Sequence, residues 1–281
     1  MKIALLSFNR PGYLAQVIAS IKTQSFDDYE IILFQDGAIN KYSWRRAATQ
    51  ADIDDCIEMF KDAFPRSDVI ISDVNIGIAQ NWRCAEHTLF TEMNVPEALF
   101  LEDDLVLSKY YFETMYNMFN EFSRDAEIGM FNAYGEMLKE GTPNEMKGMG
   151  HLWSYGTTKK SWKRRQEFFD DYYEIVKNID YAHRPLDQIH HLHARVGARD
   201  GIANSQDGAK SVAALLCNQI KISPKINMAK YIGEVGFHAT PAFYSQRGFA
   251  QMPLYEEGPL SDFDIDKKSI RKELREKYMK G

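Results

Sequence analysis

The feature that most restricts how this chain can fold is a run of four short apolar segments separated by stretches of a different period. KIALLSF (2–8), YEIILFQD (29–36), DVIISD (68–73) and EALFLEDD (97–104) are each strand-sized and nearly uninterrupted in hydrophobicity. Between them YLAQVIASIKTQ (13–24), IDDCIEMFKDAF (53–64) and IAQNWRCAEHTLF (78–90) carry apolar residues at helical spacing. Continuous apolar strands alternating with helices predict βαβ units and a parallel sheet covered on both faces. Pro11 suits the first turn of the first helix, where a missing N–H costs little. The fold class read from this pattern is α/β, with a mainly parallel, Rossmann-like central sheet.

Beyond residue 105 the pattern changes. SKYYFETMYNMFNEFS (108–123) predicts an amphipathic helix with Ser108 as its N-cap, and EIGMFNAYGE (127–136) a short strand. Residues 136–210 are richer in Gly, His, Trp and Tyr and weaker in period, which predicts loops and helices over the strand ends. Residues 220–244 return to strand-like segments. The expected division is one domain over 1–245, its halves 1–105 and 106–245, followed by a charged extension over 246–281.

A net charge of −6 argues against a nucleic-acid partner. No apolar run reaches the length of about 18 residues that a membrane helix needs, and MKIALLSF is not followed by a leader-type cleavage site. Cys56, Cys84 and Cys217 are odd in number and far apart, which suits a reducing, cytoplasmic setting rather than a disulfide framework. The basic segment KKSIRKELREKYMKG (267–281) reads either as a solvated terminal helix or as a contact to an anionic membrane face or a second domain.

In open α/β sheets ligands bind at the carboxyl ends of the strands. Here those ends carry Asn9 and Arg10, Asp36, Asp73, and the triplet Glu102, Asp103 and Asp104. Three adjacent carboxylates after a buried strand need a positive partner. Either they hold a divalent cation, since Mg²⁺ and Mn²⁺ take hard oxygen ligands, or they form an acidic turn before the next helix. For a cation, the short Asp104 or Asp103 is the nearer ligand.

In their order along the chain FNRPGYLAQVIASI, IILFQDGA, NIGIAQNWRCAEHTLF, ALFLEDDLVLS, SYGTTKKSWKRR and ISPKINMAKYIGEVGFHATP resemble the GT-A glycosyltransferases. The likeness is to the inverting N-acetylglucosaminyltransferase I type and the bacterial family-2 type, over about residues 2–245. The resemblance implies a nucleotide-sugar donor, commonly a UDP-sugar, and a Mn²⁺ or Mg²⁺ cofactor. It implies that Asn9 and Arg10 contact the nucleotide, Asp36 the base, Asn81 the diphosphate, and Glu102 and Asp103 the ribose and sugar. Asp104 and His238 would hold the metal. Asp207 in NSQDGAK matches the acceptor-side base of an inverting transfer, with Asp170 and Asp171 in EFFDDYYE as the competing assignment. The acceptor would be a glycan, a lipid-linked glycan or a protein, in the synthesis of a bacterial surface glycan at or near the inner membrane face. EDD departs from a strict DxD, and SYGTTKKSW is a reduced form of the family's WGWATW segment.

Two other functions fit the same pattern: a sugar-phosphate nucleotidyltransferase, and a non-catalytic nucleotide-sugar or glycan-binding module. The histidines His183, His190, His191 and His193 lack the spacing of a zinc site. The aromatic residues Trp153, Tyr155, Trp162, Tyr172 and Tyr173 suit sugar stacking and core packing equally.

Overall fold

The computed structural model describes residues 1–135, 142–236 and 240–280. The first half follows the expected alternation: β1 (Lys2–Ser7), α1 (Pro11–Lys22), β2 (Glu30–Gln35), α2 (Gln50–Ala63), β3 (Val69–Ile71), α3 (Gly77–His87) and β4 (Glu97–Glu102). Pro11 opens α1 as expected, and α3 continues into one π-helical turn, Thr88–Glu92. β1 lies between β2 and β4, parallel to both, in a register that sets Leu6 beside Glu102 and Ser7 beside Gln35. Successive side chains of a strand point to opposite faces. Ile3 and Leu5 therefore pack with α1, α2 and later helices, whereas Ala4 and Leu6 pack with Trp82 and Ala85 of α3.

The second half adds β5 (Leu105–Leu107), α4 (Tyr111–Phe122), β6 (Ile128–Phe131), β7 (Met146–Gly148), β8 (Ser154–Thr158), α5 (Lys159–Val176), α6 (Leu186–Arg195), α7 (Gln206–Leu216), β9 (Ile220–Pro224), β10 (Ala229–Tyr231), α8 (Pro241–Gln246) and α9 (Lys267–Tyr278). The main sheet runs β3-β2-β1-β4-β8-β6-β9-β7, and β5 and β10 form a separate antiparallel ribbon. The parallel character breaks at β8, which is antiparallel to both β4 and β6, and again at β7.

Two local expectations are corrected. Ser108 is not the N-cap of α4: the helix starts at Tyr111, and Ser108 Oγ instead donates to the Tyr255 carbonyl at 2.7 Å while accepting from the Tyr110 N–H. The C-terminal segment has claimed the hydroxyl. Residues 220–244 are not strand throughout, because Thr240 caps α8 with its side chain on the Phe243 N–H. The interval 246–280 packs into the main core through Phe249, Met252, Leu260, Phe263, Ile270 and Leu274, and Lys267 and Arg271 of α9 pair with Asp125 and Glu127.

Candidate active site

The β1–β4 register brings the loop after β1 against the acidic triplet. Arg10 forks across both aspartates, one guanidinium nitrogen on Asp103 Oδ1 and the other 2.7 Å from Asp104 Oδ2. The Phe8 N–H donates to Asp103 Oδ2 at 3.1 Å. The aspartate side chains are 3% and 4% exposed and the arginine 25%, so this ion pair is screened far less than a surface pair. Burial opposes the Arg10 charge, but Asp103 and Asp104 together raise its pKa above the ordinary guanidinium value. Burial pushes Asp104 up to about 6 against the pull of Arg10. Burial and the charges of Asp104 and Asp207 hold Glu102 well above the usual carboxylate range.

The segment just after β10 seals this corner. Ile232 N–H donates to the Asp104 carbonyl at 2.9 Å, and a Cβ on Gly233 would stand 2.6 Å from Asp104 Oδ2. Only glycine lets the backbone pass that close. One polar atom stays unmatched: Asp104 Oδ1 is buried without a hydrogen-bond partner. Such an unpartnered oxygen, beside further carboxylates, fits a hard divalent cation held by one or two protein carboxylates plus substrate.

Asp207 lies in the first turn of α7, its Oδ1 accepting from Gln206 Nε2 at 2.6 Å. Burial raises its pKa, while Lys210 and Lys221 act to lower it. It is near enough to Glu102 for its charge to be felt there. One turn on, Lys210 is fully buried: its ammonium lies 3.0 Å from Glu86, donates to Tyr155 at 2.8 Å and sits 4.0 Å over the Trp82 ring. Glu86 also receives Tyr155 Oη–H and Trp162 Nε1–H. Sequence reading missed this network entirely. A glutamate inside the apolar stretch of α3 and a lysine inside SVAALL's helix were the available signals.

The remaining candidates divide. Asp36 is buried and receives four donors, Gly37 N–H and Ile76 N–H on Oδ1 and Asn75 Nδ2 and Gly77 N–H on Oδ2, at 2.8–3.0 Å. Those fill the roughly four lone-pair sites of a carboxylate, so in this state it clamps β2 to the start of α3. Burial still raises its pKa to about 6. Asn81 is buried, its amide donating to the Phe34 carbonyl at 3.1 Å. Asn9 lies in the Arg10 loop. His238 lies outside the described residues. Asp170 and Asp171 are exposed on α5, paired with Arg83 and Arg195. His190, His191 and His193 fall on α6, and no group of three or more His, Cys, Asp or Glu residues suited to a metal occurs among the described residues. Trp153 stacks on His151 and on Tyr231, each at 4.2 Å. Two rings that close to one indole must take opposite faces, which leaves neither face for a sugar.

The profile of glycosyl transferase family 2 matches residues 3–183, well over half of the chain. The chain belongs to that family. The family-2 match contains Arg10, Asp36, Asn81 and the triplet, and stops before Asp207 and His238. No curated protein matches the chain in sequence. Among solved structures it is similar to a mannosyltransferase of Pyrobaculum calidifontis in complex with GDP-Man and Mn²⁺, at 9% identity and TM-score 0.46 over 79% of this chain and 54% of that one. The chain thus spans just over half of that protein's length. It is also similar to TarS of S. aureus, at 11% identity and TM-score 0.46 over 97% and 68%, and to LgtC, at 12% identity and TM-score 0.42 over 100% and 97%. No helix among the described residues is long and apolar enough to cross a membrane.

Proposed function

We propose that this family-2 chain transfers a sugar from a nucleotide-sugar, a UDP-sugar by its resemblance, to an acceptor hydroxyl with inversion. The observation that carries the reading is the presence of two differently partnered carboxylate groups. One is the triplet at the carboxyl end of β4, whose aspartates are bridged by Arg10; the other is Asp207, bonded to Gln206 and electrostatically felt at Glu102. Carboxylates with different partners can take different tasks in one site.

Asp104, through its unpartnered oxygen, and Asp103 would hold Mg²⁺ or Mn²⁺, which when bound offsets negative charge on the departing diphosphate. Arg10 adds a second positive group at that place, aimed by the loop after β1. Glu102 stays protonated further up the pH scale than an ordinary acid and can donate a hydrogen bond to a donor hydroxyl. Asp207 takes the proton from the acceptor hydroxyl; its raised affinity for that proton makes it a better base near neutral pH. Synthesis of a bacterial surface glycan is the setting the resemblance favours. The exposed lysines 268, 272 and 277 of α9 give a membrane surface something to hold.

The test is a binding and hydrolysis panel of UDP-, GDP-, CMP- and dTDP-sugars with Mn²⁺, Mg²⁺ or EDTA. One donor bound and slowly hydrolysed only with metal is the expected result. Binding of none under any condition would overturn the reading.

A further inference from the structure

The acidic pair already has a cation, supplied by the chain. Arg10 takes Asp103 Oδ1 and Asp104 Oδ2, Phe8 N–H takes Asp103 Oδ2, and Asp104 Oδ1 alone is left, buried and unbonded. A divalent ion arriving by itself would find one unbonded carboxylate oxygen and a guanidinium beside it, and like charges that close repel strongly where water is scarce. Arg10 is also the movable member of the group. Its side chain is a quarter exposed and it precedes α1 in a non-helical conformation, with the Tyr13 ring 5.5 Å from its guanidinium. A guanidinium matches the geometry of phosphate oxygens as well as it matches carboxylates.

We infer that Arg10 is an exchangeable internal counter-cation. In the empty protein it neutralises Asp103 and Asp104. When a diphosphate arrives, Arg10 transfers to it, and the freed carboxylate oxygens accept the divalent ion. Metal and nucleotide then bind as a coupled pair, each tightening the other by the same factor. This deepens the function proposed above. Only its nucleotide half rests on that function; the competition between Arg10 and the metal does not.

The experiment is a titration of Mn²⁺, read as free Mn²⁺ by electron paramagnetic resonance, into wild type and Arg10→Gln, first alone and then with saturating UDP or inorganic pyrophosphate. Without nucleotide, Arg10→Gln should bind Mn²⁺ about tenfold or more tighter than wild type, within the usual range of coupling factors. UDP should tighten Mn²⁺ binding by a similar factor in wild type and by much less in the variant. Arg10→Lys, which keeps a charge but loses the fork, should fall between them and serves if Arg10→Gln does not fold. Equal Mn²⁺ affinity of wild type and the folded variants without nucleotide would overturn the inference, as would no Mn²⁺ binding to any of them. Tighter binding to Arg10→Gln alone, with UDP and pyrophosphate both inert, would keep the counter-cation and remove the nucleotide reading.

Discussion

Asp207 and Arg10 show how far single residues could be read in advance. Asp207 was singled out through the resemblance, and its charge is felt at Glu102. If it is the base, Asp207→Asn should lower kcat about 10²–10⁴-fold, the usual worth of a positioned acid–base group, with donor binding unchanged. The sign of the pH effect follows from burial. A base with raised pKa loses its working, deprotonated form as pH falls through that raised value, so the acid limb of kcat/KM should stand above the ordinary carboxylate range and vanish from the residual activity of Asp207→Asn. Steady-state kinetics over pH would decide it, and an unchanged acid limb would reject the assignment. Arg10 was legible as a site residue but not as the partner of the triplet. That partner lies 93 and 94 residues away from the acids, and only the β1–β4 register brings them together.

Among the elements, β7 and β8 both fall in the stretch 136–210 expected to hold loops and helices, and β8 shows why the pattern could not announce them. SYGTT has almost no apolar content, yet all five residues are buried. Its polar atoms are matched: Thr157 Oγ1 donates to the Gly129 carbonyl and Ser154 Oγ pairs with Tyr111 Oη. Gly156 leaves room for Phe119 and Phe131 to close on the strand. Sequence hydrophobicity reports none of this, because the strand is held by hydrogen bonds and by the absence of a side chain. The buried ion pair between α3 and α7, Glu86 with Lys210, was equally hidden. Lys210→Met alone should cost about 3–5 kcal/mol by stranding a buried carboxylate. Lys210→Met with Glu86→Gln should recover much of that loss in urea unfolding. A double variant as unstable as the sum of the two singles would show that the pair is not coupled.

For the molecule as a whole, the α/β class and the succession of the first four strands along the chain could be read directly, because each strand is a nearly unbroken apolar run, whereas their order in the sheet came only with the structure. The expected boundary near residue 245 marks a change in composition, whereas Leu260, Phe263, Ile270 and Leu274 lie in the same core as Ile3 and Leu5. A chain ending at residue 245 should therefore lose cooperative unfolding and bind a hydrophobic dye, since it exposes several side chains each worth about 1.5–3 kcal/mol when buried. A cooperative melt matching that of the full chain would show the segment to be dispensable. The central place of β1 has a last consequence, for biosynthesis. One edge of β1 meets β2 soon after both are made, but the other waits for β4, residues 97–102. At a translation speed of about 5–20 residues per second, that edge stays open on the ribosome for several seconds or more. Lys2–Ser7 is apolar apart from its ends and lacks proline, so the nascent chain presents an unpaired strand that neighbours on a polysome could join. Yield should then depend on chaperone supply and translation rate more than on the final stability of the fold.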